Sequence, residues 1–254
     1  MAPGRKAVRA DISGILNDWP YEPGKLNVRL VEGDDGNTYV QVRVDVGILQ
    51  MHASGRPDGQ RPEGYESLLE QLEAEHDDAD ADEAPFTLST EQCQALREEA
   101  AQYHQRYMAM LALDRYDEVV RDTTRNLRVL DFCNKHAERD ADREMLEQFR
   151  PYITMMRARA MASLALNDNE AKAAVLAIDS GLDALRLHYD EHGQSQLYDD
   201  SSEVRMLRGM RDALVPKLPV SQKSELKKRL QAALEQENYE LAAILRDELR
   251  MLAE

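Results

Sequence analysis

The residues that most resemble a chemical site are His188-Tyr189-Asp190-Glu191-His192. On a helix, two imidazoles at this spacing share one face and can hold a zinc ion, with the intervening glutamate as general base, the H-x-x-E-H arrangement of a zinc hydrolase. The segment, however, ends just before Gly193. His and Gly are both favoured at a helix C-terminus, so the sequence favours a cap, with His188 and His192 a weak metal candidate. The acidic run Asp77-Asp78-Ala79-Asp80-Ala81-Asp82-Glu83 could attract calcium. It lacks the turn glycine and spaced bidentate glutamate of an EF-hand loop, and reads better as a solvated linker. Trp19, with Pro20 and Tyr21, could form an aromatic and basic face with Arg43, Arg56 and Arg61. The favoured reading has Trp19 closing a small core and the arginines in solvent. Cys93 and Cys133 form no C-x-x-C pair and read as buried thiols of a reducing compartment. No Ser-His-Asp or Cys-His order and no glycine-rich phosphate loop stands out, so no catalytic residue is assigned, no enzyme activity is expected and no cofactor is implied.

The elements that must position these groups follow from periodicity. Leu26, Val28 and Leu30 alternate with polar residues, as do Val40, Val42, Val44 and Val46, and a third short run spans Ile48 to Met51. Period two with β-branched residues predicts strands, and the turn chemistry at Gly33-Asp34-Asp35-Gly36 predicts an antiparallel meander of three. Tyr65, Leu68, Leu69 and Leu72 lie on one helical face, predicting a helix packed on the sheet. Residues 74–84 carry no large apolar side chain and read as disordered.

Beyond the linker the pattern is helical. Ser89 and Gln92 form a capping box before Cys93, Leu96, Ala100, Tyr103, Tyr107 and Met110, and Pro151, Pro216 and Pro219 mark breaks. Residues 108–114 (MAMLALD) match residues 161–167 (MASLALN), while Leu127 and Leu130 match Leu182 and Leu185. Two helical hairpins are expected, similar to tetratricopeptide hairpins but with longer spacing, with an ordinary helical bundle as the alternative. The fold class is therefore α+β: a β-meander with a helix over residues 1–73, an acidic linker over 74–87, a helical-hairpin domain over 88–215 and a terminal hairpin over 221–254.

The formal net charge is −16. Clustered Lys and Arg release counterions when they grip a phosphate backbone, so this balance argues against direct nucleic-acid binding. Ten acids fall between Glu63 and Glu83 with no Lys or Arg among them, so much of the charge belongs to one segment. No run approaches eighteen apolar residues and no apolar leader follows Met1 to Ala10. A cytoplasmic protein that makes no use of a membrane is expected.

In the tail, Leu226, Leu230, Ala233 and Leu234 form one apolar stripe, and Ala242, Leu245, Leu249 and Leu252 a second. Ser224 and Asn238 are suited to cap the two helices, predicting an antiparallel hairpin too short to be stable alone. The stretch from Glu237 to Leu249, with its Tyr239-Glu240-x-Ala242-Ala243-x-Leu245-Arg246-Asp247-Glu248-Leu249 core, resembles the UVR motif of UvrB and UvrC. The resemblance covers about an eighth of the chain. It implies a docking hairpin that pairs with a second such hairpin or with another protein, through Leu226, Leu230, Leu234, Tyr239, Ala242, Leu245, Arg246 and Leu249. The helicase P-loop of UvrB, a nuclease domain like that of UvrC and the C-x-x-C pairs of McsA are not found. What remains is similar to bacterial UVR-motif proteins without those domains. The expectation is a non-catalytic adaptor or scaffold that binds a protein partner or itself, with an accessory factor of excision repair that binds UvrB or UvrC as the alternative.

Overall fold

The computed structural model describes residues 11–78 and 85–214 and, in the tail, residues 229–232, 234, 235 and 246. The chain divides into two compact units, Met1–Arg211 and Asp212–Glu254.

A short helix α1 (Ser13–Asp18) leads into β1 (Asn27–Glu32), β2 (Thr38–Val44) and β3 (Gly47–His52). The strands form the expected antiparallel meander, in order β1-β2-β3, with Val28 opposite Val42 and Val40 opposite both Leu30 and Met51. Alternation places Val40, Val42 and Met51 on the buried side. Val46, expected in register with them, falls in the β2–β3 turn and is 87% exposed.

The helix expected to cover the sheet does something else. α2 (Leu68–Asp77) starts at Ser67, whose hydroxyl accepts from the Glu70 amide, and buries Leu69 and Leu72. Those leucines join Leu88, Cys93, Leu96, Val129, Leu130, Cys133 and Ile153 in the helical core, not the sheet. An apolar stripe states that a face must be buried but not by what, and the larger helical surface takes it. α2 also runs past the expected boundary at residue 73 to Asp77. Residues 79–84 of the expected linker lie outside the described residues, whereas Phe86 packs on Phe132 and Leu88 bridges to Ala137.

α3 (Thr90–Ala112) begins with the predicted capping box, in which Ser89 and Gln92 exchange hydrogen bonds. It pairs with α4 (Tyr116–His136); α5 (Asp140–Glu147) then leads to a second hairpin of α6 (Arg150–Asn167) and α7 (Ala171–Glu191), and α8 (Ser202–Leu214) follows. Pro151 sits in the first turn of α6, where its missing N–H costs nothing. The two hairpins share their turn: Asp114 (φ 55°) and Asn169 (φ 62°) are both left-handed, each followed by an amide that donates back, Arg115 to the Met110 carbonyl and Glu170 to the Ala165 carbonyl. Asp and Asn tolerate this conformation better than other non-glycine residues; the second turn residue, Asn169, lies two positions beyond Asn167, the match of Asp114 in the sequence repeat. α6 packs on both α4 and α7. At the second contact the backbones come close, because Gly181 faces Ala158.

The sheet is tied to the first hairpin by buried charge. Arg106 of α3 is 1% exposed and Asp122 of α4 is fully buried. The guanidinium donates twice to that carboxylate (2.7 and 2.8 Å) and, through Nη1, to the carbonyls of His52 (2.9 Å) and Gly55 (2.7 Å) at the end of β3. Arg121 adds a hydrogen bond to the Ala53 carbonyl. Glu99 accepts from the Leu68 amide and from Arg125, holding the start of α2 on the same hairpin. The meander is therefore fastened to the helices through the chain's own backbone carbonyls.

Candidate functional site

Two of the arginines grouped with Trp19 and expected in solvent, Arg43 and Arg56, are instead covered and structural. Arg43 is buried, and its guanidinium donates to the carbonyls of Trp19 (2.8 Å), Gly47 (3.0 Å) and Asp45 (3.2 Å), and to that of Val44. It closes the β2–β3 turn. Trp19 is half-buried beneath Arg29, whose guanidinium carbon lies 4.1 Å from the ring centroid. Arg56 is mostly covered and lies 3.1 Å from Asp58 and 3.4 Å from Glu99, so of the three arginines only Arg61 is exposed. Loops leave backbone carbonyls without ladder partners, and arginine satisfies several at once.

His188 and His192 lie where the helix-cap reading places them. His188 is in the last turn of α7, His192 is its C-cap, and Gly193 adopts φ 65°. The His192 ring is 4.3 Å from the His188 ring, and its Nδ1 lies 2.7 Å from the His188 carbonyl. A third group not foreseen from sequence joins them: Glu147, the last residue of α5, with Oε2 4.0 Å from His188 Nδ1.

A second feature missed in sequence is an apolar cavity of about 500 Å³ between α3, α4, α5 and α6. Its walls include Ala100, Ala101, Leu130 and Ile153, and its rim carries Met145 and Phe149, which are 43% and 51% exposed. This volume lies in the range of ligand and side-chain pockets. The polar groups at its edge are Arg97, His104, Asn126 and Gln148. His104 Nδ1 is hydrogen bonded to the Tyr107 hydroxyl (2.6 Å). Burial lowers the His104 pKa and raises that of Tyr107, so both are neutral near pH 7. The cavity is suited to an apolar group, with a few hydrogen bonds to orient it. Sequence carries no signal for this cavity, because the exposure of Met145 and Phe149 beside it is visible only once α5 is in place.

In the tail, Leu230 and Leu234 are helical, half-buried and 45% exposed respectively, and Arg246 is helical and exposed. Leu226, Tyr239, Ala242, Leu245 and Leu249 lie outside the described residues, as does most of the expected hairpin. Among the described residues, no helix is long and apolar enough to cross a membrane.

Neither a curated protein nor a solved structure matches the chain. One family does match, at the place where the resemblance was drawn: residues 221–254 of this chain carry the UvrB/uvrC motif, UVR.

Proposed function

We propose that this protein is a non-catalytic cytoplasmic adaptor that docks a protein partner, or a second copy of itself, through its UVR tail, while the helical body offers the apolar cavity beside Met145 and Phe149 as a second contact. The observation that carries this reading is the UVR match over residues 221–254. Two further features support it. Leu234 and the rim of the cavity hold large apolar side chains in solvent, where contact with a partner would repay their hydration. The net charge of −16 opposes direct contact with DNA, so an adaptor role is favoured over a nucleic-acid one even if the partner acts on DNA.

The test is affinity capture after cross-linking in the native cell, with the full chain, a chain lacking residues 221–254, and the full chain carrying Phe149→Asp. Loss of the principal partner on truncation, with the helical circular dichroism of the remainder intact, is the expected result. Unchanged recovery would sink the reading. The motif also favours a narrower possibility, an accessory role in excision repair, and direct binding of purified UvrB or UvrC by the full chain but not the truncated one distinguishes it.

A further inference from the structure

Glu147, His188 and His192 each present one ligand atom, and these atoms all lie within 4.8 Å of one another where α5 and α7 end. We propose that they form a binding site for a divalent first-row transition ion of the zinc type, which clamps the end of α5 to the end of α7. Among the described residues no other trio of His, Cys, Asp or Glu side chains converges in this way.

The donor chemistry fits. Two imidazoles and a carboxylate suit zinc, cobalt and nickel, whereas calcium and magnesium require oxygens alone. The hydrogen bonding of His192 fits as well. His192 Nδ1 faces a carbonyl, which can only accept, so Nδ1 carries the proton and Nε2 keeps its lone pair for an ion.

Glu147 has the outer contacts usual for a metal-bound carboxylate. Arg150 donates to both of its oxygens (2.6 and 2.7 Å) and Asn134 to Oε1 (3.1 Å). Each carboxylate oxygen has a second lone pair, so Oε2 can accept from Arg150 and still face an ion. Arg150 also pairs with Asp131 (2.8 Å), which leaves this group of three with one net negative charge. The ligands of a tetrahedral ion at about 2.1 Å stand roughly 3.4 Å apart, so the trio must close by about 1 Å. His192 is exposed, so a small rotation of its side chain that keeps the hydrogen bond to the His188 carbonyl can make that adjustment. The three open into a cleft also lined by Arg143, Glu144 and Gln194, which leaves space for water as a further ligand. Glu191, the base that H-x-x-E-H chemistry would require, is exposed and does not line the cleft. The arrangement therefore serves as a clamp and not as a hydrolytic centre.

The full-length protein, stripped with chelator, is titrated at pH 7.5 with zinc chloride by calorimetry and with cobalt chloride by visible absorption. One ion per chain is expected, together with a cobalt d–d spectrum and a rise in melting temperature with zinc. His192→Ala removes an exposed side chain, so folding is retained, and it should weaken zinc binding by roughly tenfold or more and abolish the zinc-induced rise. Glu147→Gln should do the same. His76→Ala, at the other close histidine pair (His76–His136, centroids 4.5 Å apart), should change neither. Substoichiometric binding, or affinity untouched by His192→Ala, or equal weakening by His76→Ala, overturns the proposal.

Discussion

Removing the carboxylate of Asp122 tests the claim that the sheet is fastened to the helices by buried charge. In Asp122→Ala the Arg106 guanidinium, 1% exposed in the parent protein, keeps only the His52 and Gly55 carbonyls, neither of which carries a charge. Breaking a buried ion pair from one side costs about 3–5 kcal/mol, mostly as desolvation of the charge left behind. For a unit of this size each kcal/mol moves the melting temperature by about 2–4 °C, so a fall of roughly 6–20 °C is expected. The double substitution Arg106→Met/Asp122→Leu leaves no uncompensated charge and should recover part of this. It should not recover all, because the two carbonyls lose their donor at about 1–3 kcal/mol for each that stays buried.

The chain holds one tryptophan, Trp19, beside the meander, so its fluorescence reports the sheet while circular dichroism at 222 nm reports the helices. Urea transitions followed by the two probes should coincide in the parent protein, and in Asp122→Ala the fluorescence transition should move to lower urea ahead of the helical one. A loss below about 1 kcal/mol with the two probes still superimposed would refute the clamp.

Two further outcomes follow from packing and burial. Gly181→Ala ought to stabilise an exposed helix by about 1 kcal/mol, but here the new Cβ would lie 2.5 Å from Ala158 Cβ; a net loss of about 1–3 kcal/mol in urea denaturation is expected, and a gain would show that α6 and α7 separate freely. Burial depresses the pKa of His104, His136 and His188 below the ordinary 6.5, so the unfolded chain takes up protons first on acidification; melting temperature should be level above about pH 7 and fall as the pH drops from 6.5 through the depressed values, and a rise between pH 7 and 5.5 by calorimetry would contradict these burials.

Sequence conveyed local facts well. The alternation around Val40 and Val42 specified strands, Ser89 and Gln92 specified a helix start, and the matched Asp114 and Asn167 segments pointed to a shared turn, although the second turn residue is Asn169. Partner choice was not legible, since periodicity defines a face and not what covers it. Leu69 and Leu72 therefore packed on α3 and α4 where the sheet was expected. Arg43 and Arg56 read as solvated charges for a related reason, because nothing in residue type separates a paired buried charge from an exposed one. Glu147 was missed as a neighbour of His188 because it lies on another helix and no spacing rule connects them.

The distribution of polar burial bears on where function can reside. Arginines 43, 106 and 125 spend their donors on carbonyls and carboxylates inside the first unit, at the meander and the α3–α4 hairpin. Such groups tolerate little change, since each serves several acceptors at once. Beside the cavity, apolar exposure is carried by Met145 on α5 and by Phe149 at the start of α6. α5 is short, only eight residues, and is held at its end by Glu147 through Arg150. Substitutions at Met145 and Phe149 should thus change binding with little cost in stability, while substitutions at Arg106 or Asp122 should do the reverse. This separation lets loss of a partner be distinguished from loss of the fold that presents the contact.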